Sequence, residues 1–224
     1  MAKDYIGIFD VIGPEMIGPS SSHTSGAATI SWMARQIFTG DIDKVTFTLY
    51  GSFAETYKGH GTDRALLGGI LGFRPNKTGI RSAFKNADAH GLKYEYIVDS
   101  ETEVSHPNTV DILMESADGH VLLIRGESLG GGRVRITRIN DIVVDFTGEF
   151  STMIVMHRNL PGMIAYTTTQ LAEHRINIAN MRSFRDESLE TTITVVEAED
   201  FIPEEIKEKL LEHEHIISVD LIEL

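Results

Sequence analysis

Cysteine is absent from this sequence of 224 residues. Without thiols the chain forms no disulfide, has no thiolate nucleophile and supplies no cysteine ligand to zinc or to an iron–sulfur cluster. Positive charge is also scarce, because 20 Lys and Arg residues face 33 Asp and Glu residues and leave a net charge of −13. Nucleic acid and anionic membranes, which need a basic surface, are therefore disfavoured as partners.

Long apolar runs are missing as well. No stretch reaches the length of a bilayer-spanning helix, and the N-terminus lacks the pattern of a secretory signal. We therefore expect a cytoplasmic protein without a membrane partner. The length is sufficient for one or two domains that each bury a core.

The most distinctive segment, residues 18–26, has the sequence GPSSSHTSG. Gly-Pro ends the preceding segment, and the apolar spacing of residues 27–38 predicts a helix. The polar side chains then lie at a helix N-terminus, where unpaired N–H groups and the helix dipole favour an anion. We expect a carboxylate or phosphate ligand there. The alternative is a capped helix that follows a serine-rich loop.

Two further polar clusters stand out. The first, GSFAETYKGHGTD at residues 51–63, follows a predicted strand and ends where another helix begins. Its His60 lies between two glycines, which leave the imidazole open to a ligand, and Thr62 can cap the next helix. The second cluster is HPN at residues 106–108, where the proline favours an extended His106 and Asn108 offers a donor and acceptors. A surface histidine beside a cap and a polar turn are the alternatives.

Other chemistries are less favoured by the pattern. His23, His60 and His106 with Asp63 have the atoms for a nitrogen–oxygen metal site, but no histidine pair at i,i+4 supports one. We predict no metal site in this chain. Ser22 and His23 are adjacent, so they do not face each other as a nucleophile and its base, and a hydrolase is not expected.

Periodicity predicts two domains, residues 1–148 and 151–224. The first is an α+β domain with a mostly antiparallel sheet. In it we predict helices at 27–38, 62–71 and 81–90, and strands at 44–50, 93–98, 110–115, 121–125, 134–138 and 142–146. The second has the order β-α-β-β-α-β of a ferredoxin-like unit. Its predicted elements are strand 152–156, helix 163–174, strand 176–184, a hairpin turn at 185–188, strand 189–197, helix 203–213 and strand 216–222.

Four motifs in a fixed order resemble a known family. They are GPSSSHT at 18–24, GHGTD at 59–63, HPN at 106–108 and GESLGGG at 126–132. Together they resemble the beta chain of the iron–sulfur-dependent bacterial L-serine dehydratase, over essentially the whole chain. Residues 151–224 resemble an ACT domain, whose loop after the first strand would here be Asn159, Leu160, Pro161 and Gly162.

The resemblance implies an L-serine ammonia-lyase, which converts L-serine to pyruvate and ammonia in serine catabolism and gluconeogenesis. It also implies a 4Fe–4S cluster held by a separate, cysteine-bearing alpha subunit, one iron of which acts as a Lewis acid on the serine hydroxyl. The active site would lie at the interface of the two subunits. Its implied residues are Ser20, Ser21, Ser22, His23, Thr24, His60, Thr62, His106 and Asn108, with no base assigned.

The ACT resemblance implies self-association through these domains and an amino-acid effector between them. The implied effector residues are Asn159, Leu160, Pro161, Gly162, Asn177 and Ile178, and a purely structural dimerisation domain is the alternative. A different function is also open, because similar serine loops beside ACT domains occur in some phosphoglycerate dehydrogenases. There the chain would be a stand-alone anion- or amino-acid-binding regulatory module without catalysis. The two extra histidine motifs favour the enzyme.

Overall fold

A computed structural model of the chain describes residues 20–186 and 190–223. By its internal contacts the chain divides into two compact units, Met1–Thr137 and Arg138–Leu224. This division precedes the junction at 148–151 predicted from the sequence pattern, and that junction stays a prediction. Within the described residues, no helix combines the length and the apolar character that crossing a membrane requires.

A six-stranded sheet has the order β2-β1-β3-β4-β5-β6. Its strands are β1 (Lys44–Tyr50), β2 (Lys93–Asp99), β3 (Thr109–Glu115), β4 (Val121–Gly130), β5 (Arg133–Ile139) and β6 (Ile142–Phe146). The pairs β1–β3 and β3–β4 are antiparallel, as predicted. Strand β2 pairs in parallel with β1, since the chain crosses over through helices between these two strands.

The helices of the first unit lie before β1 and within the crossover. They are a π-helical turn (Ser21–Gly26) that continues into α1 (Ala27–Ile37), then α2 (Gly51–His60), α3 (Thr62–Ile70), a 3₁₀ turn (Thr78–Ser82) and α4 (Ala83–His90). The sequence pattern did not predict α2. Only Phe53 and Ala54 of this helix are buried, so it carries no apolar stripe of helical period.

Close packing fixes α1 between α3 and the sheet. Gly69 of α3 lies so near α1 that a Cβ added there would be 2.5 Å from the Ala28 carbonyl oxygen. On the sheet side, a Cβ on Gly126 of β4 would overlap the side chain of Ile30. Because neither glycine tolerates a side chain, the start of α1 is held in one position over β4.

The second unit has the predicted ferredoxin-like order. Its elements are β7 (Ser151–Arg158), α5 (Met163–Glu173), β8 (Ile178–Asp186), β9 (Thr191–Ala198), α6 (Glu204–Leu211) and β10 (Ile216–Ile222). The sheet order is β10-β7-β9-β8, with antiparallel neighbours. One sheet face packs on both helices around Met153, Val196 and Leu210. Of the predicted hairpin turn at 185–188, residues 187–189 lie outside the described part.

Candidate active site

The serine-rich cluster forms the first turn of a helix. We predicted that these residues lie at the N-terminus of a helix over 27–38, with a serine-rich loop before that helix as the alternative. Helical structure in fact begins earlier, at Ser21, as a π-helical turn. Ser20 is the N-cap, and its Oγ accepts from the His23 backbone N–H at 3.3 Å. Single π-helical turns are often found at functional sites, since they aim side chains away from the regular helical stripe. The side chain of Ser21 is outside what the structure describes.

His23 lies at the centre of a hydroxyl network. Its Nδ1 is 3.0 Å from Ser22 Oγ and 3.3 Å from Ser20 Oγ, and its Nε2 is 3.1 Å from Ser52 Oγ. The expectation that the adjacent Ser22 and His23 side chains do not face each other was therefore wrong, because they meet within the π-helical turn. The residue is only 8% exposed. Burial lowers the pKa of His23, the neighbouring His60 lowers it further, and a hydrogen bond with the Ser52 backbone partly opposes both effects. The ring is therefore neutral at neutral pH and has one nitrogen able to take a proton.

His60, the last residue of α2, lies beside His23. The two ring centroids are 4.7 Å apart and the rings are nearly perpendicular. Thr24 Oγ1 donates to the His60 carbonyl oxygen at 3.2 Å, which ties the first motif to the second. Gly61 then ends α2 with a φ of 73°, a conformation that a side chain disfavours, and places Thr62 in a fully buried position at the start of α3.

The third motif joins the same site through backbone contacts. Asn108 N–H donates to His106 Nδ1 at 3.2 Å, and since a backbone N–H can only donate, the neutral His106 ring carries its proton on Nε2. The Asn108 carbonyl oxygen accepts from Ser128 N–H at 2.9 Å. The Pro107 carbonyl oxygen accepts from Ser52 N–H at 2.7 Å. The loop is thus fastened to both β4 and α2.

Three residues that the sequence analysis did not select complete this arrangement. Ser52 bonds to His23, as described above. Ser128 Oγ donates to the Ser22 carbonyl oxygen at 2.8 Å, and the buried Glu127 accepts from Ser105 Oγ at 2.6 Å, beside the His106 loop. Two of them lie in the GESLGGG motif, which was noted only for its resemblance. Ser52 could not be selected from the sequence, because a serine after a glycine is also common where a helix simply begins.

Four buried polar atoms of these segments lack a hydrogen-bond partner among the described residues. They are Ser25 Oγ, His60 Nδ1, Thr62 Oγ1 and Asn108 Oδ1. Each unpaired buried group costs about 1–3 kcal/mol, so several on neighbouring segments are unusual in a purely structural region. A polar ligand would satisfy them. Within residues 20–186 and 190–223, no three His, Asp or Glu side chains are grouped so as to hold a metal ion.

Comparison with known proteins identifies the family. The family model described as the serine dehydratase beta chain matches residues 7–121. The chain is 37% identical over 216 residues to the L-serine dehydratase beta chain of Peptoniphilus asaccharolyticus, covering 96% of this chain and 97% of the relative. It is 39% identical over 215 residues to a probable L-serine dehydratase beta chain of Bacillus subtilis, with the same coverage.

The chain belongs to the serine dehydratase beta chain family. The resemblance stated from the motifs is thereby confirmed. The chain is also 26% identical to a D-3-phosphoglycerate dehydrogenase of Methanocaldococcus jannaschii, over 95% of this chain and 40% of the relative. A region similar to nearly all of this chain thus forms part of a longer protein that is named for a different activity.

The predicted effector residues of the beta chain lie in its second unit. Asn159 follows β7, and its N–H donates to the Glu190 carbonyl oxygen at 2.9 Å. Gly162 begins α5 with a φ of 94°. A surface cavity of about 670 Å³ at this loop is lined by Arg158, Asn159, Leu160, Glu190 and His215. Arg158, Glu190 and His215 were not predicted from the sequence.

Asn177 and Ile178 do not join that loop within one chain. Both β7 and β8 run antiparallel to β9, so β8 starts at the end of the sheet where β7 starts. Ile178 pairs with Ala198, which also pairs with Ser151. The Asn177 side chain donates to Glu199 Oε2 at 3.2 Å, and Asn159 lies at the opposite sheet end.

Proposed function

We propose that this chain is the beta subunit of a two-chain L-serine dehydratase that forms pyruvate and ammonia. The observation that carries the proposal is the set of unpaired buried polar atoms of His60, Thr62 and Asn108 on segments that bond to one another around His23. L-serine has a carboxylate, an ammonium and a hydroxyl, which need several donors and acceptors close together. Family membership makes this amino acid the natural occupant.

Each segment has a distinct part in this reaction. His106 presents an N–H on Nε2 and can donate to the substrate carboxylate. His23, neutral because its pKa is lowered, can accept a proton at neutral pH. Serine loses its Cα proton and its hydroxyl, and the resulting enamine is hydrolysed to pyruvate and ammonia, so water is released and then consumed.

The iron–sulfur cluster of this reaction would be held by another subunit. This sequence has no cysteine, the residue whose thiolates hold iron–sulfur clusters, and the hydroxyl and amide groups of the site suit the polar groups of an amino acid. When bound, a 4Fe–4S cluster supplies a Lewis acid that makes the hydroxyl a better leaving group. The residues of this chain then bind and orient serine and hold the proton. An alpha partner with the cluster cysteines follows from this division.

Anaerobic purification of the tagged chain from its native cells tests the proposal. We expect a cysteine-bearing partner, iron–sulfur absorbance and pyruvate formed from L-serine. In that complex, His60→Ala and Asn108→Ala should each lower kcat/KM at least about 10²-fold. The matched control is His90→Ala, which removes an exposed histidine at the end of α4. Unchanged kcat/KM in both site variants would refute the assignment.

A regulatory module without catalysis is the second candidate. It is favoured by the match to the longer D-3-phosphoglycerate dehydrogenase over 95% of this chain. Such a module would bind an anion or an amino acid without any cluster-bearing partner. Calorimetric titration of the full chain alone with L-serine and with inorganic phosphate distinguishes the candidates, since saturable binding together with an inactive, colourless native complex would favour the module.

We further propose that residues 151–224 act as an ACT domain that pairs side by side and binds an amino acid. Strand β8 is a sheet edge, and antiparallel pairing of two β8 edges would bring Ile178 of a second copy to the sheet end where Asn159 lies. This pairing would unite the two halves of the effector site that a single chain separates. Gly162 would present the N–H groups of α5 to the effector carboxylate.

Mixing variants tests this paired site. Asn159→Ala and Asn177→Ala should each abolish the response to the amino-acid effector at a similar maximal rate. A mixed dimer of the two variants contains one intact site and one doubly substituted site. Random exchange makes about half of the dimers mixed, so the mixture should regain about a quarter of the response. No recovery on mixing would refute a site shared between two copies.

A further inference from the structure

We propose that Ser52 is a positioning residue that holds the His23 ring in one orientation and ties it to the His106–Asn108 loop. Ser52 bonds to both segments at once, through Oγ to His23 Nε2 at 3.1 Å and through its N–H to the Pro107 carbonyl oxygen at 2.7 Å. The expected effect of Ser52 on turnover of L-serine rests on the proposed function. Its expected effect on the position of the His23 ring rests only on the contacts described here.

The turn before Ser52 fixes its place. Gly51 has a φ of 51°, in the left-handed region that favours glycine. A Cβ at Gly51 would be 2.6 Å from the Pro107 carbonyl oxygen, so the turn packs directly on the loop. Ser52 therefore enters α2 at a position determined by the loop and not by the helix alone.

A partly buried ion pair holds the strand that leads into this turn. Tyr50, the last residue of β1, donates from its hydroxyl to Asp111 Oδ2 at 2.9 Å. Arg125 binds the same carboxylate through two nitrogens, at 2.6 and 2.7 Å. Two-point pairing of this kind restricts the geometry strongly. The residue next to Gly51 is thus anchored on the sheet, which restricts where Ser52 Oγ can lie.

The chemistry of the ring explains why this contact matters. A neutral imidazole has one donor and one acceptor nitrogen, and each tautomer needs matching partners. Nδ1 of His23 faces Ser20 and Ser22, whereas Nε2 faces Ser52. A hydroxyl can donate to Nε2 or accept from it, so Ser52 pairs with this nitrogen in either tautomer. Without the Ser52 hydroxyl, Nε2 would be buried without this partner, so a rotated ring would become accessible. The direction in which His23 presents the nitrogen that takes a proton would then vary.

Helix capping does not account for the Ser52 hydroxyl. The N-cap of α2 is Tyr50, so Ser52 lies inside the first turn and its hydroxyl points to His23. Thr56, one turn further along α2, provides a contrast. Its hydroxyl donates to the Ser52 carbonyl oxygen at 2.7 Å, which is a local helix contact. Thr56→Val is therefore a matched control for loss of a hydroxyl on α2.

The test compares Ser52→Ala, Ser52→Thr and Thr56→Val in the full chain. Nitrogen-15 NMR of the histidine rings should show the same His23 Nε2 signal in the unsubstituted chain, Ser52→Thr and Thr56→Val. In Ser52→Ala this signal should shift, because Nε2 loses its hydrogen bond. In the native complex, Ser52→Ala should lower kcat about 10- to 100-fold and change the acid limb of its pH profile. Ser52→Thr should restore both.

The outcomes separate two failures. An unchanged His23 Nε2 signal in Ser52→Ala, or the same spectral change in Thr56→Val, would overturn the positioning role. A shifted signal in a complex that never turns over L-serine would support the positioning role and refute the proposed function. If Ser52→Ala fails to fold, as seen by circular dichroism, Ser52→Cys decides, because a thiol bonds only weakly to the imidazole. A His23 Nε2 signal in Ser52→Cys that equals the signal of the unsubstituted chain would then overturn the positioning role.

Discussion

Asp220 gives the second unit a stability that depends on pH. It lies on β10 opposite Ile154, is only 6% exposed, and has Lys207 as the cation that acts on it. Burial raises the pKa of Asp220 from 3.8 to about 6, against smaller opposing effects of Lys207 and of a hydrogen bond with Ser218. The carboxyl is thus neutral at acid pH and ionised, at a cost, above about pH 6.

The magnitude follows from the two pKa values. Each pKa unit corresponds to about 1.4 kcal/mol in the free energy of unfolding. Raising the pKa of Asp220 by about 2 units on folding therefore changes this free energy by about 3 kcal/mol between the protonated and the ionised carboxyl. Since the pKa of Asp220 is higher in the folded state, protonation of this carboxyl stabilises the folded protein. That stabilisation is complete below the pKa of the unfolded state and is lost as pH rises through about 6. Asp220→Asn, which cannot ionise, should therefore gain about 3 kcal/mol relative to the unsubstituted chain between about pH 4 and pH 8.

Urea unfolding followed by circular dichroism measures this difference. Taking the variant minus the unsubstituted chain at each pH removes the titration of all other carboxyl groups. Asp200→Asn, which changes an exposed carboxylate of the same unit, is the matched control and should change the free energy of unfolding by no more than about 0.5 kcal/mol. A difference for Asp220→Asn that is flat with pH would refute the reasoning, because the buried carboxyl would then have the same pKa in both states.

Three further changes test the site. Gly26→Ala would place a Cβ on Ser128 Oγ, so we expect about 1–3 kcal/mol of destabilisation in urea unfolding together with reduced turnover. Asp111→Ala leaves a partly buried guanidinium without its carboxylate, so the free energy of unfolding should fall by about 2–4 kcal/mol, whereas Asp111→Asn should lose less. His60→Asn removes a neighbouring charge that lowers the pKa of His23; an NMR titration should therefore show the pKa of His23 rise, and no rise would contradict the pairing of the two rings.

Much of the fold could be predicted because apolar spacing follows secondary structure. The β-α-β-β-α-β order of the second unit is an example, since each of its strands and helices carries its own period. Helix α2 was missed for the converse reason. It buries only Phe53 and Ala54, and its place is set by the crossover between β1 and β2 and not by its own pattern.

The candidate site could be predicted only in part. Histidines within glycine- and proline-marked motifs were visible, and His23, His60 and His106 lie on segments that the structure joins. Ser52 was not visible, because a serine at a helix start is common and its partner lies 29 positions away. The sequence also did not predict that Asn159 and Asn177 lie at opposite ends of the sheet. Their positions depend on β9 lying between β7 and β8, and strand order is a tertiary property that local pattern does not reveal.

The contact between Ser128 and the Ser22 carbonyl oxygen joins residues 106 positions apart. Contacts of such long range form late, since the loop that they close must lose its conformational entropy first. The turn that carries His23 is therefore completed only after β4 has been synthesised and paired. A nascent chain displays the serine-rich segment long before it displays a finished binding surface. The proposed assembly with an alpha subunit at this surface would consequently be restricted to chains whose first sheet has already folded.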